Sequence, residues 1–117
     1  MKCFLPLLSA LALPFAHDVS AQAWPSKPVR LIVSQAAGTS PDIAARLVAD
    51  RLGRLWGQPL VVENRAGGQN VIGAQAAARS APDGYTFFFA TTAAIITNPL
   101  TFKALPYDPD VNSTRWR

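Results

Sequence analysis

An α/β fold with a short parallel sheet is predicted by three features of this sequence. Apolar runs of strand length, rich in branched or aromatic residues, recur at 29–33, 60–64 and 85–90, and each is followed by a stretch of helical character. The intervals between them are short, which points to right-handed βαβ units and strands that run the same way. Glycine, proline and small polar residues punctuate the junctions. The expected order is βαβαβα.

Trp24-Pro25-Ser26-Lys27-Pro28 reads as an extended entry segment, because proline biases its predecessor away from the helical region. Val29-Arg30-Leu31-Ile32-Val33 is the first strand, and the loop Ser34 to Ser40 follows with small side chains almost throughout. Ser40 reads as an N-cap, Pro41 suits the first helical position and Asp42 complements the positive helix start. The helix is expected from Pro41 to Trp56, with Gly57 ending it. Its apolar stripe is Ala44, Val48, Leu52 and Leu55, flanked by Ile43 and Leu47, and this face is expected to be buried. Asp42, Arg46, Asp50 and Arg54 stand four apart with alternating sign. That spacing makes a surface charge ladder for the last three, while Asp42 lies beside the loop and is open to a second role.

Leu60-Val61-Val62-Glu63-Asn64 is the second strand, with Glu63 read as structural or rim-lining because no second acid is near it in sequence. The loop Arg65 to Gln69 leads to Asn70, an expected cap for a short alanine-rich helix over 71–79. Ala81-Pro82-Asp83-Gly84 is a turn. Tyr85 to Ala90 is a third strand whose unbroken apolar run suits a strand covered on both faces. Thr91-Thr92 form a loop, and a further helix starts at Ala93 and is expected to end at Asn98-Pro99.

The first 23 residues have the character of a secretory leader. Lys2 precedes an apolar run from Phe4 to Ala16, and Ala21-Gln22-Ala23 is a small-x-small cleavage pattern, with cleavage expected after Ala23. The run is interrupted by Pro6 and Pro14 and is shorter than the roughly 20 apolar residues that span a bilayer, so no stable membrane insertion is expected after cleavage. Loss of the leader removes Lys2 and Asp18, one charge of each sign, and leaves the formal +4 unchanged. It also removes the only Cys, His and Met, which excludes His- or Cys-based catalysis and His/Cys metal sites from residues 24–117. No catalytic residue, metal or cofactor is expected. The arginines are scattered singly without interleaved stacking aromatics, which argues against a nucleic-acid partner.

The strongest candidate for chemistry is the loop Ser34–Ser40 running into a helix. The first amides of a helix lack internal partners and, with the helix dipole, favour an anion. Small side chains let a ligand reach them, and Thr39 and Ser40 add hydroxyls. An ordinary βα connection with a good cap would look similar. If the strands are ordered 2-1-3, Thr91 and Thr92 end the third strand at the same topological switch point. The second glycine loop, Gly67-Gly68-Gln69-Asn70-Val71-Ile72-Gly73, lacks both G-x-G-x-x-G and a Lys-Ser/Thr pair, so a tight turn is the favoured reading over a nucleotide site.

A resemblance extends across residues 24–109. Pro28 to Val33, Ala36-Ala37-Gly38 with Asp42 and Ala45-Arg46, and Gly57-Gln58-Pro59-Leu60-Val61-Val62-Glu63-Asn64-Arg65 resemble the Bug family of periplasmic solute receptors of tripartite tricarboxylate transporters. The glycine loop, Pro82-Asp83-Gly84-Tyr85-Thr86, Asn98-Pro99-Leu100 and Leu105-Pro106-Tyr107-Asp108-Pro109 continue it. The resemblance implies an incomplete parallel-sheet lobe of a two-lobed type II periplasmic-binding-protein (Venus-flytrap) fold. It implies recognition of a small organic carboxylate and delivery to membrane transporter subunits. It places Ala36, Ala37, Gly38, Thr39, Ser40 and Asp42 at the ligand, with Thr91 and Thr92 beside them. The family often has Pro-Phe before the Ala-Ala and a second Gly after Gly38; Ser34-Gln35 and Thr39 stand here, which adds Gln35 to the expected contacts.

The family pattern disappears after Pro109-Asp110, so the expected organisation is a leader (1–23), a partial N-terminal lobe (24–109) and an irregular tail (110–117), a truncated receptor. On that view the chain alone binds carboxylates weakly or not at all. The competing readings are a non-functional truncated product without ligand binding and a small α/β enzyme, the latter disfavoured by the missing His, Cys and paired acids.

Overall fold

The computed structural model describes residues 23–108. Residues 1–22 and the segment from Pro109 onward lie outside the described residues, and with them nearly all of the expected leader and its cleavage pattern and the expected irregular tail.

Three strands form one parallel sheet: β1 (Val29–Val33), β2 (Leu60–Asn64) and β3 (Thr86–Phe89), in the order β2-β1-β3. Val29 pairs with Leu60 and Val33 with Asn64, while Arg30 to Val33 pair with Thr86 to Phe89. The 2-1-3 order required for a switch point is therefore present, and the loops after β1 and β3 leave the sheet side by side. Helix α1 (Ser40–Trp56) packs on β1 and β2, and helix α2 (Val71–Ala78) on β1 and β3. Side chains alternate along β1. Val29, Leu31 and Val33 join the core under α1 with Ala45, Ala49 and Leu60, whereas Ile32 and Ser34 point the other way, toward α2 and its Gly73.

α1 departs from expectation in which face it buries. Asp42, Ala45 and Ala49 are buried, and Leu52 and Trp56 are partly so. The larger apolar residues of the expected stripe point outward: Val48 and Leu55 are exposed, as are the flanking Ile43 and Leu47, with Leu47 at 69% and Leu55 at 68%. Ala44 is also exposed. Side-chain size explains the rotation. Ala45, Ala49 and Gly53 allow the helix backbone to lie close to the sheet, and a Cβ at Gly53 would lie only 3.4 Å from the Gln58 carbonyl. Both ends of the helix are also held from a distance. Asp42 is claimed by loop and β2 groups (below), and Trp56 meets Trp24 edge-on with ring centroids 5.1 Å apart.

The helix start is shifted by one residue from the expected cap. Thr39, extended at φ −79° and ψ 162°, is the N-cap, and Ser40 is already helical. The Thr39 hydroxyl makes no capping bond; it donates to the Ala36 carbonyl at 2.8 Å. The stop is as expected, with Gly57 left-handed at φ 67°. Asn70 precedes α2 as expected, yet its side chain caps nothing.

Two further expectations are revised. β3 is an edge strand among the described residues, pairing with β1 alone, and Phe87 on it is exposed. Phe87 packs sideways against Trp24 and Trp56, while Tyr85 and Phe89 of the same run are partly buried against the core under α1. After β3, a π-helical turn (Ala93–Thr97) runs directly into α3 (Asn98–Thr101). Pro99 does not end this helix. It sits in the first turn of α3, where its missing N–H is not needed, and the helix continues to Thr101.

Candidate anion-binding site

The loop from Ser34 to Thr39 leaves β1 at the carboxyl edge of the sheet and enters the 17-residue α1. Ala36, Ala37 and Gly38 are exposed, Gly38 with a positive φ of 83° that lets the chain turn back over its own helix start. Pro41 supplies no donor. The first helical bond runs from the Ile43 amide to the Thr39 carbonyl. Among the described residues no hydrogen bond engages the amides of Ser40 or Asp42, which leaves both as donors at the positive end of the helix dipole.

The Asp42 side chain has a different job from its amide. The residue as a whole is only 2% exposed and its side chain 3%. One oxygen accepts from the Gly38 amide at 2.8 Å and from Arg46 Nε at 3.0 Å, and the other accepts from Asn64 Nδ2 at 2.8 Å. Asn64 Nδ2 also donates to the Gln35 carbonyl at 3.0 Å, and Arg46 Nη2 donates to Asn64 Oδ1 at 3.0 Å. The Arg46 guanidinium, then the Gly38 and Asn64 amides, hold the Asp42 carboxyl down from its ordinary 3.8 to about 2. A carboxylate so engaged leaves ligand binding to the backbone around it.

Arg46 is therefore more than a rung of a surface ladder, which corrects the sequence reading; the Asp50–Arg54 pair beyond it is exposed and fits that reading. Neither Arg46 nor Asn64 stood among the expected site residues. The four-residue spacing from Asp42 to Arg46 was a signal for the first. Asn64 could have been suspected only as a polar residue closing a strand next to β1, since its partners lie 22 and 29 residues away.

The remaining expected residues gather at the same end of the sheet. Because Val33 pairs with Phe89, Thr91 and Thr92 leave β3 next to the β1 loop. Thr92 is exposed, and Thr91 is half-buried, its hydroxyl accepting from the Ala94 amide at 3.4 Å. Gln35 is half-buried, and its carbonyl is taken by Asn64. Ser34 is buried and its hydroxyl has no partner among the described residues.

The second glycine loop is organised by backbone conformation. Gly67, Gly68, Gln69 and Asn70 all have positive φ, and the Gln69 carbonyl accepts from Asn98 Nδ2 at 2.8 Å. Glu63 lies between Arg30 and Arg65; Arg30 foremost, then Arg65, hold its carboxyl below the usual range, in keeping with a structural role. No group of three or more His, Cys, Asp or Glu that could hold a metal occurs among the described residues, and no helix there is long and apolar enough to cross a membrane.

A parallel sheet with helices on both faces, and with loops from adjacent strands converging at a switch point, is the architecture of an α/β ligand-binding lobe. Comparison with known proteins makes the class specific. The family described as "Tripartite tricarboxylate transporter family receptor" matches residues 44–114. A UPF0065 protein of Bordetella bronchiseptica is 46% identical over 105 residues, covering 90% of this chain and 30% of that protein. A solved "periplasmic transporter" superposes with a TM-score of 0.72 at 52% identity, over 74% of this chain and 29% of that one. Rpa4515 of R. palustris, solved with adipate, superposes with a TM-score of 0.72 at 39% identity, over 75% of this chain and 29% of that one. The chain belongs to the tripartite tricarboxylate transporter receptor family, a family of periplasmic solute receptors and not of enzymes. It spans about a third of the length of these relatives.

Proposed function

We propose that this chain carries the carboxylate-gripping loops of one lobe of a periplasmic receptor, reached through a leader cleaved after Ala23, and that it serves a tripartite tricarboxylate transporter. The observation that carries this reading is the pair of unengaged amides, Ser40 and Asp42, at the start of a long helix opening on the β1–β3 switch point. A relative of the same lobe architecture holds adipate. Ala36, Ala37, Gly38, Thr39 and the Ser40 hydroxyl line the approach, with Gln35, Thr91 and Thr92 at its rim. Asp42 contributes its amide to the ligand and its carboxylate to the loop.

Titration of the isotope-labelled chain with adipate tests the reading by NMR. The described loops face a ligand from one side, so a weak, saturable interaction is expected, with a dissociation constant on the order of 1 mM. The Ser40 and Asp42 amides should shift most. Saturable shifts confined to other parts of the chain, or none at all, would remove the proposal.

A second reading, a product that binds no ligand, is favoured by one observation. β2 and β3 each pair on one side only among the described residues, and Leu47, Leu55 and Leu100 are exposed. Self-association of the chain together with a silent titration is the outcome that would select it.

A further inference from the structure

Asn64 occupies an unusual place in the described hydrogen-bond pattern. Its side-chain amide has two N–H donors and one carbonyl acceptor, and the donor nitrogen and the acceptor are both engaged. Nδ2 donates to the Gln35 carbonyl at 3.0 Å and to the Asp42 carboxylate at 2.8 Å; Oδ1 accepts from Arg46 at 3.0 Å. These partners lie on two elements other than its own. Gln35 is at the entry of the β1–α1 loop, and Asp42 and Arg46 are on the first turns of α1. The strand register places Asn64 directly across from Val33, the last residue of β1, so β2 delivers the amide to the point where the loop begins. Arg65 strengthens that placement, its amide donating to the Val33 carbonyl at 2.8 Å.

We propose that Asn64 is the positioning residue of the β1–α1 loop: by holding the Gln35 carbonyl and the Asp42 carboxylate at once, it sets the shape in which the Ser40 and Asp42 amides meet a carboxylate. The inference rests on the functional reading above and deepens it. The loop must be bound at a carbonyl and at a carboxylate, both acceptors, by a group that also accepts from Arg46. A primary amide does all three. An aspartate at 64 has no donor and sets a second negative charge against Asp42, and an alanine has neither function. Asp42 passes the constraint on to Gly38, whose amide it accepts at 2.8 Å. The loop is thereby tied at its entry, its middle and its exit around one side chain of the neighbouring strand, and a loop ordered before binding loses less freedom when the ligand arrives.

The test reads the loop with and without ligand. Amide hydrogen exchange and adipate titration are followed by NMR on the chain and on Asn64→Ala. The Gly38 amide of Asn64→Ala should exchange at least about tenfold faster while Ile32 in β1 is unchanged, which separates loosening of the loop from loss of the fold. Adipate affinity should fall by at least about tenfold. A Gly38 amide exchanging within about twofold of the parent rate overturns the proposal, as does unchanged adipate affinity in a variant whose loop has loosened. Should Asn64→Ala fail to fold, Asn64→Asp makes the same test: it keeps the size of the side chain and an acceptor for Arg46, and it loses the donor to the Gln35 carbonyl and the Asp42 carboxylate. Faster Gly38 exchange is again the supporting result and an unchanged rate the overturning one. If the parent chain binds no adipate, the functional reading fails alone, and Gly38 exchange still decides what Asn64 does.

Discussion

The strand-to-helix connections after β1 and after β2 solve the same problem by different means. Each must turn the chain from the carboxyl end of a strand into a helix. The first uses side chains from two elements, α1 and β2: Asp42, Arg46 and Asn64 tie the loop, and only Gly38 needs a positive φ. The second uses the backbone. Four successive residues, Gly67 to Asn70, adopt positive φ, and the following helix is locked by Gly73 against Ser34. In the first loop the ties run to side chains of α1 and β2, whereas in the second the Gln69 carbonyl accepts from Asn98. The contrast teaches that a strand-to-helix turn can be fixed either by side chains reaching it from other elements or by the conformation of its own backbone.

Substitutions can break this contrast, and the largest effect is expected in the backbone-built connection. A Cβ at Gly73 would lie 2.6 Å from Ser34 Cβ, 2.7 Å from Ser34 Cα and 3.0 Å from the Arg65 carbonyl. Relieving that overlap requires moving β1 or α2, at about 3 kcal/mol, against about 1 kcal/mol gained from alanine's helix propensity. Gly73→Ala should therefore lose about 2 kcal/mol in denaturant unfolding. An unchanged midpoint would mean that α2 does not pack on β1 as described.

Next comes the side-chain network. Asp42→Asn should lower the melting temperature by a few degrees at neutral pH, because it replaces a carboxylate that accepts from three groups. A carboxyl whose pKa is lower in the folded chain adds stability above its unfolded pKa and loses it as pH falls through the folded one. With the Asp42 value moved from 3.8 to about 2, the gap between parent and variant should be constant above about pH 5 and should close between about pH 4 and pH 2. Thermal melts across that range check it, and a gap that persists at pH 2 contradicts the assignment.

A smaller effect of opposite sign is expected at Gln69. Its φ of 52° is left-handed, a conformation that glycine adopts without strain. Gln69→Gly should raise stability by about 1 kcal/mol, provided the bond from Asn98 to the residue 69 carbonyl is kept. A loss on chemical unfolding would show that the Gln69 side chain does something the backbone does not reveal. The smallest effect belongs to Arg54→Ala on the exposed end of the charge ladder, expected within about 0.5 kcal/mol of the parent. A larger loss would mean that the Asp50–Arg54 pair is part of a packed face.

Much of the fold was legible because it is written locally. The strand at 29–33, the helix stop at Gly57 and the parallel alternation follow from composition, turn residues and short connections, and the 2-1-3 order was the arrangement a switch point required. The site was legible in part. The Ser34–Ser40 loop and Asp42 stand out as small residues before a helix with an early acid. Asn64 and the second role of Arg46 do not, because their partners are distant in sequence. Local signals also misled at Ser40, a good cap by composition, where the extended conformation falls one residue earlier at Thr39.

The buried face of α1 marks the division most clearly. By itself the sequence determined that residues 40–56 form an amphipathic helix between two parallel strands, since period, proline and glycine are properties of the segment. Which face meets the sheet was decided only in three dimensions. Hydrophobicity favoured Val48, Leu52 and Leu55, of which only Leu52 packs, partly buried, against the core. The folded chain instead buries Ala45 and Ala49, which let the helix lie close to β1, and Asp42, whose burial is tolerable because Gly38, Arg46 and Asn64 satisfy its carboxylate. A buried charge depends on partners, and here two of the three come from outside its helix.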